Sequence, residues 1–404
     1  MKIMFLTSAY ENIAGYWRSY YLAKNLAARG HTVYMVAQTN SFKATSKFVD
    51  NFHLYLLPSF SNKNRPSRLA SGLSIPFQMG FNSLFSFSQK VDVLHVFDAL
   101  FPQNALPVFL FKLKSLKNRP LIFIDWDDWW GRGGILDTFH KNLGSPTIRF
   151  LTFMEEKIPL YGDAVTVTNP TMEKRGLNVG IKQEKIIILP NGTNIDSNMK
   201  LDTQTARKLV NLPEKSIIYT CSKSSFDMIK PKDDPIWDLL VAHKSVCSDN
   251  SNVFLCFIGD GSEKCLTIAK KYALSNNVIS INYQPPEKFN IYLAASNFVV
   301  LPLGGSYKWV IDPRSPLRLI DYMASGKPVI ASDIPECRRM LKDCGLLVKP
   351  NDPKDLAVKI TEMIENLELF TMKAKNIREK IIEHYSWKNL AIYLENNYNT
   401  YKKR

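Results

Sequence analysis

Between residues 312 and 333 the chain carries Ser315, Pro316, Leu317, Arg318 and Asp321, followed by Gly326, Lys327 and Pro328. These types and spacings suit an anion and a polyol bound side by side. Ser315 is a good N-cap, and Pro316 fits a first helical position, where a missing N–H costs nothing. Gly326 suits the residue just past a helix end, and Pro328 stops any continuation. The spacing predicts a helix over 315–325. Its free N–H groups form a ready anion site. Asp321 falls about 7 Å further along the axis, at ~1.5 Å per residue. That offset matches a diphosphate at the helix tip and ribose hydroxyls at the acid. Leu317, Ile320 and Ala324 share an apolar face, and Asp321 lies beside it, where a carboxylate is costly unless paired. A capped structural helix with a half-exposed acid explains the same residues, and the spacing alone leaves both readings open.

A second cluster is Asp125, Trp126, Asp127, Asp128, Trp129 and Trp130: three carboxylates and three indoles in six residues. Indole rings stack on pyranose C–H faces while acids take hydroxyls. A turn with surface aromatics is the plain alternative.

The elements that must position these groups alternate strand and helix. Residues 3–6, 31–37, 91–96, 120–125, 164–168 and 186–189 read as buried strands, with a helix over 16–28 ended by Gly30. After Asn191 and Gly192 the pattern restarts, with strands at 216–221, 253–258, 278–281, 298–301 and 329–331. Runs that are apolar on both faces imply sheets covered by helices on both sides. The fold class expected is α/β: two Rossmann-like doubly wound parallel-sheet domains, 1–191 and 192–386, with a polar linker near 192–204. A last helix, within 387–404, could pack back on the first domain. Residues 59–89 differ. Lys63, Arg65 and Arg68 precede a run of Leu, Ile, Met and Phe, and Gly and Pro are expected to break any single long helix there. Basic residues beside exposed apolar ones suggest an interfacial contact; an ordinary packed loop and helix is the alternative.

The chain has 404 residues and a formal net charge of +15, which favours an anionic partner. Its six Cys all follow residue 220 without a Cys-x-x-Cys pair, which reads as reduced buried thiol. No apolar run reaches the length of a membrane span.

With these residues in view, the chain resembles the GT-B glycosyltransferases, and among them the retaining family-4 group. Four segments carry the likeness: 189–192 (the interdomain Pro-Asn-Gly), 258–263 (a Gly-x-Gly-x-Glu turn after a strand), 292–302 (the stretch before the donor loop) and 315–333 (the donor site). The family's acidic pair is incomplete. Asp321 stands for the second Glu, and Pro313 for the first. The resemblance implies transfer of a sugar from a nucleotide diphosphate sugar, with retention, across a cleft between the domains. It places donor contacts at Gly15, Gly261, Glu263, Tyr283, Gln284, Ser315, Pro316, Leu317, Arg318 and Asp321. It gives Lys223 and Lys230, with Asp127 and Asp128, the catalytic roles, and brings the acceptor to Arg18, Asp125, Trp126, Trp129 and Trp130. His95 is read as a packing residue, because the family's second His position is Phe97. No metal and no cofactor are implied. The partners implied are the nucleotide-sugar donor and a glycan, lipid-linked or other hydroxyl acceptor. An anionic membrane surface through 59–89 joins them, and nucleic acid does not. The location implied is cytoplasmic, peripheral on the inner membrane face. A catalytically degenerate partner subunit and a sugar-nucleotide epimerase of the same fold stay open.

Overall fold

The computed structural model describes all residues except 13, 42, 60–67, 99, 116–118, 137–144, 196–200, 227–233, 275, 305–313 and 404. Lys63, Arg65, Lys230, Asp312 and Pro313 therefore lie outside the described residues. The chain divides into two compact units, residues 1–191 with 387–404, and residues 192–386.

The first unit has an eight-stranded sheet in the order β3-β4-β2-β1-β5-β6-β7-β8. Its strands are β1 (Lys2–Tyr10), β2 (Thr32–Thr39), β3 (Thr45–Val49), β4 (Phe52–Pro58), β5 (Val93–Phe97), β6 (Leu121–Trp126), β7 (Ala164–Val167) and β8 (Ile186–Ile188). All pair in parallel except β3, which runs antiparallel to β4. The sequence reading missed this edge hairpin. Asp50 and Asn51, both at positive φ, make its two-residue turn, and acidic and amide side chains tolerate that conformation well. The helices are α1 (Ala14–Ala28), α2 (Arg68–Ser88), α3 (Pro102–Lys112), α4 (Ser145–Lys157) and α5 (Pro170–Asn178). Moving from β1 to β2 crosses the sheet one way, and β4 to β5, β5 to β6 and β6 to β7 the other. Right-handed crossovers then set α1 on one face and α2, α3 and α4 on the opposite one. The expected break in 59–89 is corrected at α2, which runs 21 residues through Pro76. A proline kinks or frays a helix locally, and packing on α3 holds this one together.

The second unit has a six-stranded parallel sheet in the order β11-β10-β9-β12-β13-β14. The strands are β9 (Ile217–Ser225), β10 (Val253–Asp260), β11 (Val278–Ile281), β12 (Phe298–Leu301), β13 (Val329–Ser332) and β14 (Gly345–Val348). Its helices are α6 (Thr203–Leu209), α7 (Pro235–Asp249), α8 (Glu263–Lys271), α9 (Pro286–Ala295), α10 (Leu317–Ala324), α11 (Pro335–Leu341), α12 (Pro353–Glu365) and α13 (Leu367–Tyr385). Strand β14 was also missed; it is an edge strand with only Val348 fully buried, so it lacks the apolar run of the others. The last helix, α14 (Trp387–Lys402), belongs to the first unit and packs on α1. All six Cys are free thiols.

Candidate functional site

In open α/β sheets, ligands gather beyond the carboxyl ends of strands where the order reverses. In the second unit that point lies between β9 and β12. Lys223 is at the end of β9, and the chain after β12 leads to α10. The Lys223 ammonium is ion-paired with Asp234 at 2.6 Å. The neighbouring turn is tightly built. A Cβ on Gly259 would meet the Lys223 carbonyl oxygen at 1.8 Å, and its φ of +149° excludes other residues as well. Gly261 also has positive φ. Glu263 and Tyr283 are exposed, and Gln284 donates to the Asn282 carbonyl within its own loop.

Helix α10 begins at Leu317, one residue later than the spacing predicts. Pro316 is its N-cap, with extended ψ of 113° and no side-chain cap, so Ser315 lies outside the helix. Pro316 itself keeps the extended ψ of a cap, so the first helical residue is Leu317. By helix geometry the Leu317 and Arg318 N–H groups have no partner within the helix. Arg318 Nη1 donates to Ser222 Oγ at 2.8 Å, and the Ser222 N–H donates to Tyr322 Oη at 2.8 Å. The end of β9 is thereby tied to the first two turns of α10. Asp321 accepts from Thr193 Oγ1 at 2.7 Å through Oδ1. Among the described residues Oδ2 has no partner. Desolvation raises the Asp321 carboxyl to about 6, against the opposing pull of Thr193 and Arg318.

In the first unit the reversal lies between β1 and β5. Here the expected acceptor set separates into two groups. Arg18 and Asp125 are buried and joined by two hydrogen bonds of 2.9 and 2.8 Å. Arg18 also donates to the carbonyls of Leu189 and Pro190 and to Asn191. Thr166 donates to Asp125 at 2.6 Å. Trp126 is buried as well, with Nε1 donating to Glu155 at 2.9 Å. The acceptor roles expected for Arg18, Asp125 and Trp126 are corrected on this ground. A buried charge must be paired, and these groups spend their hydrogen bonds inside the unit. His95, as expected, is a core residue, bridging Tyr398 and Thr166. Gly15 makes only ordinary contact with Ala9, so no close approach demands glycine there.

Asp127, Asp128, Trp129 and Trp130 remain at the half-buried surface. Burial pushes the Asp127 carboxyl well above its ordinary value, and Asp128, Asp98 and Asp125 push it further. Asp98, absent from the expected set, follows β5 at φ 53° and accepts from Thr7 Oγ1 at 3.2 Å. Burial raises it to about 6. Its signal was an acid directly after a strand that is apolar apart from His95. The Arg175 guanidinium covers one face of Trp129 at 3.5 Å. Glu155 was missed as well. Its buried carboxylate takes the N–H groups of Trp130 and Gly131 at 2.8 and 2.7 Å, besides Trp126, and so fixes the loop. Among the described residues no group of His, Cys, Asp and Glu could hold a metal ion.

Two family models match: Glycosyltransferase Family 4 over residues 18–197, and Glycosyl transferases group 1 over residues 236–383. The chain belongs to the GT-B glycosyltransferases of the group 1, family 4 type. Solved structures share the fold of this glycosyltransferase along its length. Sucrose-phosphate synthase from Thermosynechococcus elongatus aligns at TM-score 0.76 and 19% identity, over 99% of this chain and 98% of that one. A glycosyltransferase from Rickettsia africae aligns at 0.71 and 16%, over 100% and 99%. Anabaena HepE, in complex with UDP-glucose, aligns at 0.65 and 13%, over 99% and 100%. The curated proteins give no significant match. Among the described residues, no helix of the glycosyltransferase is long and apolar enough to cross a membrane.

Proposed function

We propose that the enzyme transfers a sugar from a nucleotide diphosphate sugar to an acceptor hydroxyl, with retention of anomeric configuration. The observation that carries the proposal is Asp321. A desolvated carboxylate with one neutral partner and one open oxygen is costly, and vicinal ribose hydroxyls would satisfy it. Tyr283 and Gln284 would flank the base, and Gly15, Gly261 and Glu263 would contact the donor. The N–H groups of Leu317 and Arg318, at the start set by Ser315 and Pro316, would meet the diphosphate. Lys223 and Lys230 would add positive charge as the leaving group gains negative charge. The bond from the anomeric carbon to the diphosphate breaks, and a bond to the acceptor oxygen forms on the same face. The acceptor proton passes to the departing phosphate oxygen. Asp127 and Asp128 would accept hydrogen bonds from acceptor hydroxyls, and Trp129 and Trp130 would stack on its ring.

Anabaena HepE, solved in complex with UDP and with UDP-glucose, supports a nucleotide-sugar donor through its shared fold. We place the reaction in polysaccharide, glycolipid or glycoconjugate synthesis at the cytoplasmic face of a membrane, touched through residues 59–89. Pro313, where the family has Glu, favours a second reading: a catalytically silent partner subunit. A thermal-shift screen with UDP-, GDP-, ADP- and dTDP-sugars, followed by a donor-turnover assay, separates the two. Stabilisation with turnover is expected. Stabilisation without hydrolysis or transfer would assign the silent role, and no stabilisation by any of the four would overturn the donor site.

A further inference from the structure

The inner face of α2 mixes polar side chains with Phe81 and Phe85, which pack on the core. Ser74, Gln78, Asn82 and Ser86, one turn apart, are buried along its inner face. Gln78 donates to the Pro58 carbonyl at 2.9 Å and accepts from Gln38 at 3.1 Å. Asn82 donates to the Gln103 carbonyl at 2.9 Å and to Asn104 at 3.2 Å. The outer face carries Phe77 and Leu84, which are 46% and 73% exposed. A surface helix on a water-facing layer carries polar side chains at such outward positions.

The same layer continues through α3 to α4. There Phe150 and Phe153 are 49% and 56% exposed, while Ile148, Leu151, Met154 and Glu155 face inward. At about 100° per residue, Arg149 and Lys157 share the outer arc with the two Phe. Neither cation has an ion-pair partner among the described residues. At the end of α3, Lys114 lies over the Phe87 ring of α2 at 4.3 Å. The charge is just as uneven. The unit formed by 1–191 and 387–404 holds 26 Lys and Arg against 14 Asp and Glu, and the other unit 26 against 23. Most of the net charge of +15 therefore belongs to the unit with the exposed aromatic layer.

The geometry points to an anionic phospholipid surface as the occupant of the outer face of α2, α3 and α4. Phe77, Leu84, Phe150 and Phe153 enter the interface, and Arg149 and Lys157 meet lipid phosphates. Separate aromatic points on neighbouring helices, interleaved with cations, fit a fluid charged surface. The inner face of α4 carries Glu155, which holds the Trp130–Gly131 backbone. Lipid contact and the acid–indole loop are thus mounted on opposite faces of one helix. The inference deepens the peripheral reading of 59–89 and is independent of the donor chemistry.

Co-sedimentation with phosphatidylcholine vesicles, with and without equimolar phosphatidylglycerol, tests it. The full chain is expected to pellet only with the anionic vesicles, and less as salt rises. Phe77→Ser with Leu84→Ser, and separately Phe150→Ser with Phe153→Ser, should each weaken partitioning about tenfold or more. The substituted side chains are exposed, so thermal midpoints should move by no more than about 2 °C. Donor turnover with a water-soluble acceptor should be unchanged. Undiminished binding by both pairs would overturn the proposal. Loss confined to a Lys63→Ala, Arg65→Ala, Arg68→Ala variant would also overturn it, while leaving the 59–89 contact standing. Equal binding to neutral vesicles, or self-association abolished by Leu84→Ser in place of vesicle binding, would overturn it too. Vesicle binding by a protein that turns over no sugar nucleotide would support it and count against the transferase reading alone.

Discussion

Replacing Asp321 by Asn separates what this residue does for the fold from what it does for the donor. Its carboxyl stands at about 6, from an ordinary 3.8, because desolvation outweighs the hydrogen bond from Thr193 and the attraction of Arg318. In the unfolded chain the same carboxyl ionises freely above pH 3.8. The folded state therefore holds the proton longer, and the contribution to stability is present at low pH and lost as pH rises through 6. At pH 7.5 the charged group costs about 3 kcal/mol, at 1.36 kcal/mol for each tenfold change in ionisation. By pH 5 the cost falls to roughly half of that. Asn keeps the volume and an oxygen for Thr193 but carries no charge. With an imperfect amide fit, Asp321→Asn should stabilise the protein at pH 7.5 by about 2 kcal/mol, or roughly 4–8 °C in thermal midpoint. The gain should shrink visibly at pH 5. Nucleotide affinity should move the other way. Loss of hydrogen bonds to a charged acceptor, worth about 2–3 kcal/mol, should raise the nucleotide Kd about 30-fold for Asn and about 100-fold for Ala. Scanning fluorimetry at both pH values and titration calorimetry with the nucleotide that the screen selects read the two effects. A variant that is less stable at pH 7.5 and binds nucleotide unchanged would refute both the desolvation and the ribose assignment.

Three further outcomes are expected. Gly259→Ala puts a Cβ 1.8 Å from the Lys223 carbonyl oxygen, so urea unfolding should show a loss of about 3 kcal/mol or more; a loss below about 1 kcal/mol would mean the turn relaxes freely. Glu155→Gln gives the Trp126, Trp130 and Gly131 N–H groups a neutral acceptor and should cost about 1–3 kcal/mol, with transfer slowed and nucleotide affinity kept; lost nucleotide affinity would count against a role confined to the acceptor loop. Asp98 stands at about 6 and lies near Asp127, so kcat at saturating donor should rise as pH climbs through 6. Asp98→Asn should flatten that limb, and an unchanged profile would show that Asp98 does not set it.

The architecture was legible because buried parallel strands announce themselves. Runs such as residues 121–126 and 253–258 are apolar on both faces and recur between helical stretches. The edge hairpin at 45–58 and strand β14 were not legible; both lie at sheet edges, where partial exposure removes the continuous apolar run. Within the candidate site, α10 was readable to within one residue from Pro316 and Gly326, since proline and glycine act through local backbone geometry. The fate of Arg18, Asp125 and Trp126 was not. A sequence shows that these side chains can bind a sugar, but their burial depends on residues 18, 125 and 189–191 meeting in space. The same holds for Thr193 and Asp321, 128 positions apart.

By itself the sequence determined the doubly wound fold class, the restart after Asn191, and the helix that carries Arg318 and Asp321. These follow from periodicity and from glycine and proline at fixed offsets, all properties of neighbours along the chain. Only the tertiary structure decided which polar groups are free to meet a ligand. It enclosed Arg18 with Asp125, brought Asp98 beside Asp127, set Glu155 under the loop, and left Phe77 and Leu84 of α2 at the surface. Each of these depends on which side of an element faces the core, and desolvation then fixes the charge a group can hold.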